Sequence, residues 1–285
     1  MTDTLSRLLD DVRPLGVLVE SARLEAPWQV GCPNGSALTV VTMIRGSAAL
    51  AVDGRPPQVL APGDVALVVG PSAYSLSGVD GDTDDAVLVT GAYDVGVGGG
   101  VCDRVLGGLP AVLFVESGTE VGSAVALLSR ELDGDRAGRR ALLDRLLDLV
   151  LLTALREWLD RPDSGAPQWY TAQNDPAVGA ALALMHAEPA YRWTVEDLAR
   201  RSAMSRAAFS RRFRDLVGEP PMSYLTCWRL CLAADQLRQS HDTLATIARK
   251  VGYANAYALS AAFTRYYGVR PGEYRADARS ESDAA

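Results

Sequence analysis

Between Trp193 and Arg275 the chain carries one pattern twice. Leu198-Ala199 returns as Ile247-Ala248, 49 residues later, and Phe209 and Phe213 return as Leu259 and Phe263, 50 residues later. Apolar positions repeated at that offset require both stretches to fold the same way and bury the same face. One residue is inserted in the second copy, between Gly252-Tyr253 and Asn255.

Each copy reads as helix, tight turn, helix. In the first, Thr194 is a good N-cap and Asp197 three residues on completes a capping-box-like start. Val195, Leu198 and Ala199 share a face, Ser202-Ala203-Met204 breaks it, and Ser205 caps a second helix with Phe209, Phe213 and Leu216 inward. Gly218 and Pro220-Pro221 end that helix. In the second copy Leu244, Ile247, Ala248 and Val251 face inward, Gly252 suits a left-handed turn and Asn255 caps the next helix. Gly268 and Pro271 stop it. This geometry places the second helix of each copy in a DNA major groove. From Pro221 to Ser240, Tyr224, Leu225, Trp228, Leu232 and Leu237 recur at helical spacing. Such a spacer helix can hold two recognition helices about one DNA turn apart, roughly 34 Å.

The residues Ile247-Ala248, Gly252-Tyr253, Asn255, Ser260, Phe263, Gly268, Pro271 and Tyr274-Arg275 resemble the C-terminal signature of the AraC/XylS transcription regulators. The resemblance implies a double-stranded DNA partner, a homodimer, a small-molecule effector and, for an activator, RNA polymerase.

The net charge of −7 fits a DNA-binding chain once it is divided. Residues 1–174 hold 13 basic and 23 acidic residues, whereas residues 175–285 hold 15 and 12. Phosphate attraction reaches about a Debye length, roughly 8 Å, so the local sign governs binding. The excess is small, which implies modest non-specific affinity. No apolar run is long enough to span a membrane, and MTDTLSRLLDD lacks the pattern of a secretion signal, so the expected location is the cytoplasm. Four cysteines in 285 residues do not make a disulfide framework.

The expected fold is α+β: an N-terminal antiparallel barrel with amphipathic helices, then an all-α domain with two helix-turn-helix units. After an amphipathic start (Leu5, Leu8, Leu9, Val12), strands are expected in GVLVESARL, LTVVTMIRG, AALAVDG, DVALVVG and AVLVTGAY. Turn signals at Pro33-Asn34-Gly35, Asp53-Gly54 and Pro62-Gly63 separate them. Gly63, Asp64 and Leu67, followed by Gly70-Pro71, resemble the cupin-type effector domain of one branch of the same family. That branch often has histidines near Tyr74 and Leu38–Thr39. This chain has only His186 and His241, both far downstream. A cupin metal centre needs converging histidines and carboxylates, so no metal, cofactor or catalytic residue is expected. Gly96, Gly98, Gly99 and Gly100 precede no clear helix and read as a loop, not a phosphate cradle.

The expected domains are 1–118 for the effector barrel, 119–160 for two amphipathic helices, 161–174 for a linker, 175–275 for the DNA-binding domain and 276–285 for a disordered tail. The second amphipathic helix carries Leu142, Leu146, Leu149, Leu152, Leu155 and Leu159, a stripe suited to core packing or to a dimer interface. Cys227 and Cys231 are four apart on the spacer and read as buried structural cysteines.

Recognition helices read bases from their N-terminal half and exposed face. In the first unit that face is Arg206, Ala207, Ser210 and Arg211, with Arg214 further along. Arg211 is expected on a base, since a guanidinium grips guanine O6 and N7 in a fork. Arg206 is expected on a base or phosphate, and Arg212 and Arg214 on phosphate or solvent. In the second unit the face is Ala256, Tyr257, Ser260 and Ala261, with Thr264 and Arg265 lower down. Family members commonly carry Arg at the position of Ala261, so this unit is expected to read less sequence. Effector candidates are the large side chains on or beside the strands: Trp28, Met43, Tyr74 and Tyr93. Two other readings remain at this point: a DNA-binding thiol sensor using Cys32 or Cys102, and a barrel enzyme with an added helical domain.

Overall fold

The structure, a computed structural model, describes residues 13–14, 20–25, 27–32, 36–52, 55–70, 72–79, 85–94, 106–134 and 137–284. The amphipathic start, the turns at 33–35 and 53–54, the glycine run at 96–100 and Cys102 lie outside them. The described residues divide into two compact units, one within 13–94 and 108–166, the other holding 106–107 and 167–284.

The first unit is built on two antiparallel sheets. One comprises β1 (Arg13–Pro14), β2 (Glu20–Leu24), β4 (Leu38–Arg45), β7 (Val65–Val69), β9 (Ala86–Asp94) and β10 (Val112–Val115), ordered β1-β9-β4-β7-β10 with β2 also on β9. The other is β3 (Gln29–Cys32), β8 (Tyr74–Gly78), β5 (Ala48–Val52) and β6 (Gln58–Leu60), in that order. β2, β4, β5, β7 and β9 fall on the segments where strands are expected. β3, β6 and β8 leave little sequence signal because they are short and only part-buried.

Side chains alternate across each strand. Val41, Met43, Ala66, Val68, Ala86 and Leu88 point between the sheets and meet Leu50, Leu60 and Leu76 in one core. The opposite face of the larger sheet, which includes Val40, Thr42, Val89 and Tyr93, is also buried. Two helices pack against each other on this unit: α1 (Thr119–Leu132) and α2 (Arg139–Leu159). A Cβ at Gly91 would lie 1.9 Å from Leu147 Cδ2, so α2 presses directly on β9. α2 also caps both ends of α1. Glu157 accepts from the Glu120 and Val121 amides, and Arg139 donates to the Glu131 and Leu132 carbonyls. Asp64 of the Gly-Asp motif is a brace: its carboxylate accepts from Ala61 N at 2.9 Å and Ser117 N at 2.8 Å.

The leucine stripe of α2 is arranged differently from the expectation. The buried face is Leu143, Leu147, Val150, Leu151, Ala154, Leu155, Trp158 and Leu159. Leu142 and Leu149 instead stand 47% and 39% exposed, as does Leu127 of α1 at 46%. The helix has two apolar faces, and a pattern of leucines alone does not say which one the sheet takes.

The second unit begins earlier than the expected linker end. Residues 168–174 form α3 (Gln168–Thr171) and a 3₁₀ turn, Ala172 is fully buried, and Trp169 packs on the core of the first helix-turn-helix. Then come α4 (Pro176–Ala187), α5 (Val195–Arg201), α6 (Arg206–Val217), α7 (Pro221–Gln239), α8 (Leu244–Lys250), α9 (Ala256–Tyr267) and α10 (Pro271–Ala284). α10 carries the backbone through the expected disordered tail as helix, since Glu, Ala and Arg extend a helix readily once it is started. The spacer α7 serves two cores. Tyr224 and Leu225 belong to the first, and Leu230, Ala233, Ala234 and Leu237 to the second. Between them His186 stacks on Trp228 at 4.1 Å and its Nε2 lies 2.7 Å from the Tyr224 hydroxyl.

Candidate nucleic-acid interface

The two repeats have the same construction to the level of single hydrogen bonds. α5 and α8 each span seven residues, and α6 and α9 twelve. α5 ends with Met204 N donating to Ala199 O at 2.9 Å and Ala203 N to Arg200 O at 3.1 Å. α8 ends with Tyr253 N donating to Ala248 O at 2.8 Å and Gly252 N to Arg249 O at 3.3 Å. Both are Schellman terminations, which need a left-handed residue at the turn. Gly252 supplies it at φ +86°, and Ala203, at the matching position, is held at φ +53°. The next helix is then capped by a side chain. Ser205 accepts from Ala208 N, and Asn255 accepts from Ala258 N at 2.9 Å.

Phe209, Phe213 and Val217 bury one side of α6, with Leu216 only half-buried; Leu259, Ala262 and Phe263 bury one side of α9. Periodicity pointed to Leu216, one position from the residue the bundle takes. The opposite sides face outward. On α6, Arg206, Ala207, Arg211 and Arg214 are exposed and Ser210 is half-exposed. Arg206 Nη1 lies 2.8 Å from Glu196 Oε1 at the start of α5. Arg211 and Arg214 have no ion-pair partner among the described residues.

Arg212 is exposed to solvent, as expected, but is also ion-paired. Its guanidinium is bound by Asp175, with Nε 2.9 Å from Oδ2. The other oxygen of Asp175 accepts from Ala177 N and Val178 N and so caps α4. Arg212, first, and the two amides hold that carboxyl below its ordinary 3.8. One carboxylate therefore joins the start of α4 to α6. Sequence spacing, with 37 residues between the partners, carries no signal for this.

On α9, Tyr257 is 84% exposed. Tyr257, Ser260, Ala261 and Arg265 line one concavity of ≈ 440 Å³ together with Thr264 and Arg270. Arg270 was missed because it lies beyond the helix. The left-handed Gly268 at φ +78° turns the chain back and returns Arg270 to the same surface. Cys227 donates to the Tyr266 hydroxyl at 2.7 Å and Cys231 accepts from the Tyr267 hydroxyl at 3.9 Å. Cys231 is buried, as expected, whereas Cys227 is only half-buried, against the exposed Tyr266.

The four effector candidates do not come together. Met43, with Trp28 and Tyr74 packed at its edge, belongs to the core between the sheets. Tyr93 lies on the other face of β9, where its hydroxyl meets Asp148 of α2 at 3.2 Å, and burial there pushes its ionisation far up. Strand alternation accounts for the split: Tyr93 pairs with Leu38, whereas Leu88, an odd number of residues away, pairs with Met43. Cys32 is half-buried on β3 and in no disulfide. Among the described residues no group of three or more His, Cys, Asp or Glu could hold a metal ion, and no helix is long and apolar enough to cross a membrane.

A cupin family profile matches residues 3–160, and a helix-turn-helix domain profile matches residues 198–277. The chain is 35% identical over 257 residues to a protein named as an AraC-like transcription regulator in Streptomyces lividans, covering 81% of this chain and 84% of that one. It is 32% identical over 283 residues to the RCS-specific HTH-type transcriptional activator RclR of Escherichia coli K12, covering 96% and 97%. Among solved structures, the DNA-binding domain of the global transcriptional factor AdpA, in complex with a target DNA, aligns with a TM-score of 0.37 and 32% identity, over 39% of this chain and 100% of that one. A duplicated helix-turn-helix with exposed arginines, behind an antiparallel β domain of cupin type, thus belongs to the AraC-type family of DNA-binding transcription regulators.

Proposed function

We propose that α6 and α9 enter successive major grooves of one duplex, and that the β unit biases this binding in response to a small molecule. The carrying observation is the matched construction of the two units, joined by a helix that is the floor of both cores. Arg211 reads a base, Ser210 and Ala207 border it, and Arg206 and Arg214 meet phosphate or an adjoining base edge. On α9, Tyr257, Ser260 and Ala261 make the base-facing surface, and Arg265 with Arg270 holds the backbone. With no guanidinium in its upper half, α9 contributes less discrimination than α6.

A ligand shifts this system only through different affinities for two arrangements of the chain. The exposed leucines Leu127, Leu142 and Leu149 support assembly of two copies through the outer faces of α1 and α2. The protein acts in the cytoplasm and, if it activates, touches RNA polymerase. The test is discrimination between the DNA next to its own gene and random duplex at fixed salt. Arg211→Ala should lower that discrimination by about 1–3 kcal/mol. An unchanged ratio would refute this placement of the first recognition helix.

A further inference from the structure

We propose that the β unit carries a binding site for a compact aromatic anion, located at the open edge of the sandwich where β6 and β10, the edge strands of the two sheets, part. The inference deepens the effector reading above and takes its biological meaning from it.

The middle of the space between the sheets is filled. Val41, Met43, Leu50, Leu60, Val68, Leu76 and Leu88 are buried there in one continuous core. At the edge of that core a cavity of ≈ 390 Å³ opens where β5 and β6, β10 and the last turn of α2 converge. Its volume is within the range of roughly 300–1,000 Å³ typical of small-molecule sites. None of Trp28, Met43, Tyr74 or Tyr93 lines it.

The lining specifies the chemistry. Leu50, Val52, Phe114 and Trp158 give apolar and aromatic walls against which a flat ring system can pack. Arg55 is the one charged residue of the lining. It is exposed, and its side chain has no ion-pair partner among the described residues. An unpaired guanidinium beside an aromatic wall selects an anion such as a carboxylate, sulfonate or phosphate. Gln58 and Ser164 add hydrogen-bonding groups at the rim.

The position also gives the occupant a route to the rest of the chain. Trp158 is in the last turn of α2, and Ser164 is in the segment that leads out of this unit. Arg161 donates to the Phe114 carbonyl at 3.0 Å, and Ser164 Oγ donates to the Arg161 carbonyl at 2.8 Å. A molecule resting on Phe114, Trp158 and Ser164 touches both ends of this short network.

The test uses the full chain and two fluorescent probes of nearly equal shape: 8-anilinonaphthalene-1-sulfonate and its uncharged counterpart N-phenyl-1-naphthylamine. The sulfonate should saturate one site per chain and bind at least tenfold more tightly than the neutral probe. Arg55→Gln should abolish that advantage, and Arg130→Gln, an exposed arginine of α1, should leave it intact. Gln58→Trp, which fills the cavity from an exposed strand position, should remove saturable binding of both. Equal binding of the two probes, or an Arg55→Gln protein that keeps the tenfold difference, would overturn the proposal. DNA discrimination measured on the same samples without probe keeps the two readings separable. Its loss in the unmodified protein sinks the regulator reading whatever the probes do.

Discussion

A Cβ built on Gly252 would sit 2.8 Å from the Cα of Ala190. It would also lie 2.9 Å from the Pro189 carbonyl oxygen. The turn of the second helix-turn-helix is therefore seated on the loop that leads into the first. Arg229 of the spacer secures the same loop, donating to the Pro189 and Tyr191 carbonyls at 2.7 Å each. Burial lowers the proton affinity of that guanidinium. The two units are thus joined by a direct contact as well as by α7.

Gly252→Ala should therefore cost more than an ordinary turn substitution. The left-handed conformation alone costs about 1–2 kcal/mol for a residue with a Cβ. The obstructing atoms are backbone and cannot rotate away. Thermal denaturation should show a loss above about 2 kcal/mol, with weaker DNA binding at temperatures where the variant remains folded.

The first turn predicts the opposite sign. Ala203 is held at φ +53° where the second copy has glycine. Ala203→Gly relieves about 1–2 kcal/mol of strain and gives back about 0.4–1 kcal/mol through the freer unfolded chain. A net gain of between about 0 and 1.6 kcal/mol is expected from thermal denaturation, whereas a loss would contradict the left-handed strain at that turn.

Asp175 sets an acid limb. Its carboxyl is held below 3.8 in the folded chain, so its contribution is fully present above that value. It is lost as the pH falls through the depressed folded value. Asp175→Asn keeps a capping oxygen but loses the charge that binds Arg212. Its stability should change by no more than about 1 kcal/mol at neutral pH. Its curve between pH 5 and 2 should be flatter than that of the unmodified protein, as followed by helical circular dichroism. A limb of unchanged steepness would mean Asp175 is not the group responsible.

The outer face of α2 is tested by charge. Leu142→Glu with Leu149→Glu changes two exposed side chains, so folding should be retained. Sedimentation should shift from dimer to monomer at micromolar concentration. A variant that sediments like the unmodified chain would place any self-association elsewhere.

Much of the helical unit was legible because its signals are local. Thr194, Ser205 and Asn255 are caps, Gly218, Gly252 and Gly268 are left-handed stops, and the offsets of 49 and 50 recur in the helix boundaries. What stayed hidden depends on partners distant in the chain. The Asp175–Arg212 pair, the seat of Gly252 on Ala190 and the return of Arg270 to the α9 face have no periodicity. In the β unit, one residue of register decides whether a side chain enters the core or faces a helix. That is why Tyr93 parted from Met43, while α2, with two apolar faces, buried Leu143 and Leu147 but exposed Leu142 and Leu149.

Hydroxyl-radical footprinting of the full chain on the DNA beside its own gene tests the central claim most directly. Two protected tracts on one face of the duplex, about 10–10.5 base pairs apart, are expected, with the tract facing α6 weakened selectively by Arg211→Ala. A single tract, or two with no fixed spacing, would contradict a rigid pair of recognition helices reading consecutive grooves.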